Sequence, residues 1–297
     1  DISLYADDAK LYKHIKDTDD VKELQLVLDQ LTSWCERWHL SLNAKKCKIL
    51  TVSRRTILDS SYGIKKGNNL EYLEKVDKIK DIGVLMDSKL NFTDHIAETT
   101  NKAYSMIGII KRNFRYLDRD AFVMLYKSMV RSHLEYAAAV WSPYTKKQIE
   151  QLEKVQKRAT KIFHCCKNLN YEERLKYLKL PTLKYRRLRG DMIEVFKIIT
   201  GIYDYEADPQ FELSSVTQTR TNNLKIVKNR SNNQLRIHFF TQRVVDVWNS
   251  LPPTVTNAVS VNSFKNALDK HWGAQEIYYN YRANLSGTGS RSWSLVI

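Results

Sequence analysis

Apolar residues recur at steps of three and four along much of the chain, a spacing typical of amphipathic helices. The first stripe runs through Val21, Leu24, Leu28 and Leu31, and the segment Asp17-Thr18-Asp19-Asp20 precedes it. Asp and Thr side chains cap the free N–H groups at a helix start. The pattern therefore predicts a helix over residues 18–38 with one buried face.

Before residue 93 the other apolar residues fall in short runs that favour β-strands. Ile2 and Leu4 precede Ala6-Asp7-Asp8-Ala9, and Leu11 follows it, which predicts a hairpin with two adjacent carboxylates at its turn. Further strands are predicted over 47–52 and within 62–86. In the second region Lys66-Gly67-Asn68-Asn69 is a predicted hairpin turn, and 79–86 is the stronger strand, with Gly83 inside it.

From Thr93 the pattern changes to helical periodicity. Helices are predicted over about 93–112, 118–141, 145–163 and 182–199, each opened by a capping Thr or Asp. Residues 202–216 form a predicted linker, 224–227 and 235–240 are predicted to be extended, and 241–248 and 260–272 to be helical. A Gly- and Ser-rich tail after Gly273 is predicted to be mobile. These elements together predict an α+β protein.

Composition excludes a disordered tail. The chain has 297 residues, 43% of them apolar, which is enough for about two or three domains with cores. The 48 Lys and Arg outnumber the 33 Asp and Glu, giving a formal charge of +15, and this favours an anionic partner such as nucleic acid. A basic protein without such a partner is the alternative. No apolar run reaches the ~18 residues of a membrane span, and no signal peptide opens the chain, so we expect no membrane partner.

The cysteines favour a reduced, intracellular setting, in the nucleus or the cytoplasm. The four residues Cys35, Cys47, Cys165 and Cys166 form no Cys-x-x-Cys pattern, and adjacent cysteines cannot pair without strain. His164 beside Cys165 and Cys166 is a candidate metal site, but the three lie in an apolar run of helical period, which favours a structural role.

The predicted hairpin carries the clearest candidate chemistry. Like charges as close as Asp7 and Asp8 raise one another's pKa unless a cation neutralises them. Carboxylate oxygens suit Mg²⁺, which keeps waters and substrate phosphates in its shell. The pair is therefore a candidate for two-metal phosphoryl transfer. The alternative is a solvated turn, where Asp is also common.

Four motifs resemble reverse transcriptases of non-LTR retrotransposons, the LINE-type elements, and in particular jockey-like elements. They are, in the family's order, Leu4-Tyr-Ala-Asp-Asp-Ala-Lys-Leu11 with its YADD core, Leu40-Ser-Leu-Asn-Ala-Lys-Lys-Cys-Lys-Ile-Leu50, Lys80-Asp-Ile-Gly-Val84 with Leu90-Asn-Phe-Thr-Asp-His95, and Val247-Trp-Asn-Ser-Leu-Pro252. They extend over most of residues 1 to about 270. Their order makes the resemblance more specific than any one motif.

The resemblance implies a domain order. Residues 1–92 would be the C-terminal part of the palm, an antiparallel sheet backed by the 18–38 helix, with Trp34 and Trp38 in its core. Residues 93–204 would be a mostly helical thumb and connection, 205–272 a small mixed C-terminal extension, and 273–297 a flexible tail. We expect the chain to be a C-terminal fragment of such an enzyme.

The resemblance also implies roles for individual residues. Asp7 and the weaker Asp8 would hold Mg²⁺, and Lys46, which with Asn43 matches an Asn-x-x-Lys motif, would protonate the leaving pyrophosphate. Lys46 is otherwise a surface or phosphate-contact lysine, and Lys45 could replace it. Ile82, Gly83 and Val84 would form the primer grip, the alternative being a simple bulge at Gly83.

Basic residues on the predicted thumb are candidates for nucleic-acid contacts. They are Lys154, Lys157, Arg158 and Lys161 on one helix and Arg186, Arg187 and Arg189 on the next, with Lys225, Lys228 and Arg230 beyond them. Such side chains neutralise phosphates largely independently of the base sequence of the nucleic acid. A charged helix face is otherwise only a solvated face.

The implied reaction is the addition of deoxynucleoside triphosphates to the 3′-hydroxyl of a DNA primer on an RNA template, with two Mg²⁺ ions. The family's remaining metal-binding aspartate lies upstream of the matched motifs, so we expect this chain to lack polymerase activity by itself. Two rival functions remain open: a non-catalytic nucleic-acid-binding remnant or interaction protein, and a basic helical scaffold.

Overall fold

A computed structural model describes residues 1–53, 60–67, 69–114, 116–204, 211–214 and 224–288. The chain divides into two compact units, Asp1–Phe92 and Thr93–Ile297. The assignment of these units to a palm and a thumb stays a prediction.

The N-terminal unit contains short strands and one long helix. Its elements are β1 (Ile2–Tyr5), β2 (Asp8–Leu11), α1 (Thr18–Arg37), β3 (Lys48–Leu50), β4 (Gly63–Lys66), β5 (Asn69–Tyr72), β6 (Glu74–Val76), β7 (Lys78–Asp81) and β8 (Val84–Asp87). In the described part, the strands form three antiparallel hairpins, β1–β2, β4–β5 and β7–β8, and one parallel pair, β3–β6. The predicted hairpin turn at 66–69 is confirmed, although Asn68 lies outside the described residues. The predicted partial antiparallel sheet is found only as separate two-stranded pairs within the described residues, and one of these pairs is parallel.

Helix α1 begins where the sequence predicts it. The Asp17 side chain accepts hydrogen bonds from the Asp19 and Asp20 N–H groups at 2.9 and 3.0 Å, and Leu28 packs in a small core with Tyr62 and Ile64. The core position predicted for Trp34 and Trp38 is wrong, since these side chains are 52% and 63% exposed. Trp34 lies about 100° from Cys35 around α1, and Trp38 follows Arg37, the last residue of the helix.

The segment predicted as one strand over 79–86 is a hairpin. Asp81 pairs with Val84, so only Ile82 and Gly83 form the turn between β7 and β8. Their φ angles are 42° and 81°, and two successive residues in the left-handed region are what a tight hairpin turn requires. Gly83 is thus a turn residue and not a bulge inside a strand.

The C-terminal unit is helical in its described parts. Its α-helices are α2 (Thr93–Asn113), α3 (Arg119–Leu125), α4 (Ser132–Glu135), α5 (Ala138–Trp141), α6 (Lys146–Thr160), α7 (Tyr171–Leu178), α8 (Leu183–Ile199), α9 (Gln234–His238), α10 (Phe240–Arg243), α11 (Val245–Asn249), α12 (Pro253–Thr256) and α13 (Val261–Trp272). A π-helical turn, Tyr126–Arg131, joins α3 to α4. Ala137, with a φ of 51°, interrupts the helix predicted over 118–141. The extended segment predicted over 235–240 is wrong, because α9 and the start of α10 occupy it.

The elements after residue 224 share a core with α8. Phe196 of α8 stacks on Phe264 of α13 with ring centroids 4.4 Å apart, and Trp248 lies 5.9 Å from Phe264. The region predicted as a separate extension over 205–272 therefore packs, in its described parts, on the helix predicted to end the thumb. Within the residues that the structure describes, no helix has the length and apolarity needed to cross a bilayer.

The first part of the predicted flexible tail is packed. The Ile277 side chain is fully buried, the Thr182 N–H donates to the Tyr278 carbonyl at 2.9 Å, and Lys184 Nζ donates to the Ala283 carbonyl at 2.7 Å. These bonds fix residues 277–283 against the N-terminus of α8. The remainder of the tail after residue 288 lies outside the described residues.

Candidate functional site

The two candidate metal-binding carboxylates lie at the tip of the β1–β2 hairpin. Tyr5 pairs with Asp8, so Ala6 and Asp7 form a two-residue turn. Ala6 has a φ of 52°, a conformation that costs a non-glycine residue roughly 1–2 kcal/mol. Asp7 and Asp8 are both exposed. The turn therefore presents two adjacent carboxylates to solvent on a strained but regular hairpin.

An ion pair links this hairpin to strand β7, which precedes the turn predicted as the primer grip. Lys10, two residues after Asp8, contacts Asp81 Oδ2 at 2.6 Å, and Asp81 is the last residue of β7, directly before Ile82 and Gly83. One side-chain contact thus links strand β2 to strand β7 within the N-terminal unit. The role of Lys10 could not be predicted from the sequence, because a contact across 71 residues leaves no local signal.

Lys46 does not join this arrangement. Its N–H donates to the Asn43 carbonyl at 2.9 Å, as does that of Cys47 at 3.1 Å, and these bonds form a turn ahead of β3. The Lys45 and Lys46 side chains are exposed. Among the described residues no hydrogen bond or ion pair links Lys46 to Asp7 or Asp8, so its general-acid role stays a prediction.

The described residues supply only part of a metal site. No group of three or more His, Cys, Asp and Glu side chains is arranged around a common point in the parts of the chain that the structure covers. Asp7 and Asp8 have the oxygen chemistry that Mg²⁺ prefers, but two exposed carboxylates do not enclose an ion. The residues present therefore do not fit two Mg²⁺ ions without further ligands.

Helix α6 carries an exposed basic face. Lys154, Arg158 and Lys161 are exposed, lie three or four residues apart on one side, and make no ion pair with any described residue. The Arg158 guanidinium lies 5.4 Å from the centroid of the Tyr104 ring of α2. These three residues, named the α6 basic face below, form a row of cations available to phosphates.

Lys157, which was also predicted to contact nucleic acid, binds Tyr281 within the C-terminal unit. Its Nζ donates to the Tyr281 hydroxyl at 2.8 Å and lies 4.4 Å from the centroid of that ring. Tyr281 belongs to the packed segment that follows α13. Lys157 therefore contributes to the attachment of this segment and is half-buried.

The structure separates the three arginines of α8. Arg186 binds Glu135 through two hydrogen bonds of 2.6 and 2.8 Å, which raise the pKa of its guanidinium. Arg189 binds Asp269 in the same manner at 2.5 and 2.7 Å. The third side chain, Arg187, is buried, and burial lowers its pKa. A phosphate contact by Arg186 or Arg189 stays a prediction that requires the loss of these ion pairs, and one by Arg187 stays a prediction that requires exposure of its side chain.

The basic residues beyond α8 differ among themselves. Lys228 is bound to Asp246 of α11, whereas Lys225 and Arg230 make no ion pair with a described residue. Lys225 is half-buried and Arg230 is exposed. Of the three, Arg230 is therefore the most accessible to an anionic partner.

Comparison with curated proteins finds three informative relatives. An uncharacterized protein of Caenorhabditis elegans is 26% identical over 132 residues, which is 43% of this chain and 67% of that protein. The RNA-directed DNA polymerase from mobile element jockey of Drosophila melanogaster is 29% identical over 161 residues, 52% of this chain and 17% of the polymerase. The probable RNA-directed DNA polymerase from transposon BS of the same species is 24% identical over 173 residues, 56% of this chain and 18% of that protein.

The chain is related in sequence to RNA-directed DNA polymerases of mobile elements. It spans less than a fifth of the length of the two polymerases that it matches. No family model matches the chain, and no solved structure matches it. The relation in sequence supports the resemblance seen in the motifs.

Proposed function

We propose that this chain forms part of the RNA-directed DNA polymerase of a non-LTR retrotransposon. The observation that carries the proposal is the two-residue turn, with Ala6 in the left-handed region, that exposes Asp7 and Asp8 side by side on a hairpin linked to strand β7 by the Lys10–Asp81 ion pair. Its partners would be an RNA template, a DNA primer and deoxynucleoside triphosphates. The relatedness to polymerases of mobile elements supports this proposal.

The acidic hairpin supplies two carboxylates, and further ligands complete the site. Asp7 and Asp8, together with those further ligands, would hold Mg²⁺, which would supply activation of the primer hydroxyl and stabilisation of the leaving oxygen. Within the N-terminal unit, Asp7 and Asp8 provide negative charge at an exposed turn, and Lys10 fixes that turn against Asp81. We expect polymerisation only when ligands from outside the described residues are also present.

The α6 basic face gives the C-terminal unit a role in holding the template–primer duplex. Lys154, Arg158 and Lys161 neutralise phosphates without reading base sequence. The Arg158 guanidinium lies against the ring of Tyr104. This cation–π contact restricts the Arg158 side chain and leaves its N–H groups available to phosphates.

A second candidate function is nucleic-acid binding without catalysis. It is favoured by one contrast: in the described residues the basic face is exposed and unpaired, whereas the set of metal ligands is incomplete. A chain that binds a duplex and has no metal chemistry would fit the same structure.

Two measurements on residues 1–297 test these proposals. Anisotropy of a labelled RNA–DNA hybrid should show binding at low salt. Electron paramagnetic resonance should show weak Mn²⁺ binding, with a Kd on the order of 1 mM. The double variant Asp7→Asn with Asp8→Asn should lose this Mn²⁺ binding. Hybrid binding without Mn²⁺ binding would favour the non-catalytic function. Neither kind of binding would overturn both functions.

Primer extension on an RNA template gives the third measurement. We expect no extension by residues 1–297 with Mg²⁺ or Mn²⁺, because two carboxylates leave the site incomplete. Extension that Asp7→Ala abolishes would show that the ligand set is sufficient, and would overturn the argument for further ligands.

A further inference from the structure

One surface of the C-terminal unit combines exposed aromatic rings with basic side chains. Tyr144, just before α6, stacks on His238 at the end of α9 with ring centroids 4.3 Å apart and planes 7° apart. The Arg236 guanidinium lies 5.7 Å from the centroid of the Phe239 ring. The Tyr144–His238 stack thus joins the start of α6 to the junction between α9 and α10.

The rings on this surface remain accessible to water. Tyr144 is 40% exposed and Phe239 is 48% exposed, whereas the neighbouring Trp141 and Phe240 are buried in the core. Burying an aromatic ring is favourable, so rings left in solvent beside unpaired cations indicate a surface that another molecule can cover.

The two chain segments that meet here contain no acidic residue. Neither 136–149 nor 224–245 has an Asp or Glu, while together they carry seven Lys and Arg: Lys146, Lys147, Lys225, Lys228, Arg230, Arg236 and Arg243. Arg243 is bound to Asp191 at 2.9 Å and Lys228 to Asp246. Lys146, Lys147 and Arg236 are exposed and form no ion pair with a described residue. The surface is therefore cationic around its aromatic rings.

We infer that this aromatic-basic surface, formed by Tyr144, Lys146, Lys147, Arg236, His238 and Phe239, binds single-stranded RNA by stacking bases on Tyr144 and Phe239. Stacking requires base faces that a duplex keeps covered, and the surrounding cations attract the backbone. The inference deepens the proposed function and rests on it, since RNA is the template strand there. The α6 basic face would hold the duplex, and the aromatic-basic surface would hold the unpaired template.

The test compares two ligands and two sets of variants of residues 1–297. The ligands are a labelled, unstructured RNA of about 12 nucleotides, within the length that one such surface covers, and an RNA–DNA hybrid. Tyr144→Ala with Phe239→Ala should weaken binding of the single strand about tenfold and that of the hybrid less than about twofold. Tyr116→Ala, at a tyrosine that is 98% exposed, is the matched control and should change neither.

Each outcome decides between the claims. If the aromatic variants bind the single strand normally while alanines at Lys154, Arg158 and Lys161 weaken hybrid binding, this inference fails and the proposed function stands. If neither ligand binds at low salt, both fail. A DNA strand of the same sequence that binds more tightly than the RNA would overturn the assignment to RNA.

Photocrosslinking keeps the test valid if the double variant unfolds. The unaltered protein is irradiated with RNA carrying 5-iodouridine, and the crosslinked peptides are identified by mass spectrometry. We expect crosslinks at Tyr144 and Phe239. Crosslinks confined to other aromatic residues would place the single strand elsewhere and overturn the inference.

Discussion

Ala6 illustrates how much one backbone angle can determine. Its φ of 52° allows the two-residue turn that sets Asp7 and Asp8 side by side. A left-handed backbone conformation at a non-glycine residue is retained only where the surrounding structure requires it, and such residues are often found at functional sites. Here the pairing of Tyr5 with Asp8 and of Leu4 with Ala9 requires this conformation at Ala6.

Replacing Ala6 by glycine should stabilise the N-terminal unit. Glycine removes the left-handed strain but adds freedom to the unfolded chain, so we expect a gain of about 0.5 kcal/mol in the free energy of unfolding. Urea denaturation measures it. The control Ala9→Gly, in strand β2, should destabilise by about 0.5–1 kcal/mol. Equal effects at both positions would show that Ala6 is not strained.

The pKa of His238 gives the C-terminal unit a pH dependence. Burial, and then the charge of Arg243, lower this pKa below its ordinary value. The folded state therefore binds its proton less tightly than the unfolded state. Stability from this group is present above the unfolded pKa of about 6.5 and is lost as the pH falls through the folded value.

His238→Phe should remove this dependence while keeping a ring against Tyr144. Urea denaturation between pH 5 and pH 7.5 should show a smaller loss of stability on acidification than in the unaltered protein. His271→Phe, at an exposed histidine of α13, is the matched control for the substitution itself. An identical profile for His238→Phe would refute the assignment.

The arginines of α8 show what periodicity could and could not predict. Positions 186 and 187 lie about 100° apart on a helix, so the sequence already implied that Arg186, Arg187 and Arg189 could not share one face. The acids that bind two of them, Glu135 and Asp269, lie 51 and 80 residues away. No local pattern reports such distant partners, and for this reason the predicted cluster is divided in the structure.

At the scale of elements, the contact between two hairpins shapes the candidate site. Lys10 of β2 and Asp81 of β7 are partly exposed, at distances typical of a charge-assisted hydrogen bond. An exposed pair of this kind stabilises by about 0.2–1 kcal/mol, which is small beside the unfolding energy. The main effect of the Lys10–Asp81 pair is to restrict the orientation of the β1–β2 hairpin that carries Asp7 and Asp8.

A double-mutant cycle should measure that coupling. Lys10→Ala and Asp81→Ala should each lower the free energy of unfolding, with a coupling energy of about 0.2–1 kcal/mol that shrinks as salt rises. The charge exchange Lys10→Asp with Asp81→Lys should recover most of the loss. Additive single effects would mean that the pair does not hold the hairpins together.

Element types were more predictable than element pairing. The cap at Asp17, the 6–9 turn and the helix that begins at Thr93 follow local rules of capping, alternation and period, and they occur where those rules place them. Pairing depends on distant residues. Thus the sequence did not indicate that β3 pairs in parallel with β6, or that Ile82 and Gly83 divide a run of β-forming residues.

At the scale of the whole molecule, the candidate metal-binding residues and the candidate nucleic-acid-binding surfaces lie in different units. The N-terminal unit carries the exposed acids, and the C-terminal unit carries the α6 basic face and the aromatic-basic surface. A surplus of Lys and Arg over the whole chain could not show this, since many of those side chains are bound to carboxylates in the structure. The unpaired ones are the better guide to a binding surface.

Salt dependence should identify those unpaired cations. Replacing Lys154, Arg158 and Lys161 by alanine should flatten the slope of log affinity against log salt for an RNA–DNA hybrid by up to about three. The control Lys127→Ala with Lys167→Ala and Lys270→Ala removes equal charge at exposed positions of the same unit. An equal change in slope for both sets would indicate that binding follows net charge alone.

The packed segment after α13 sets the order in which the C-terminal unit can be completed during synthesis. The Thr182 hydroxyl donates to the Ile277 carbonyl at 2.7 Å. This contact at the start of α8 can form only after a residue 95 positions later has been synthesised. Residues 277–283 must therefore be synthesised before this core closes. Truncation at residue 272 would leave the nascent unit without these contacts.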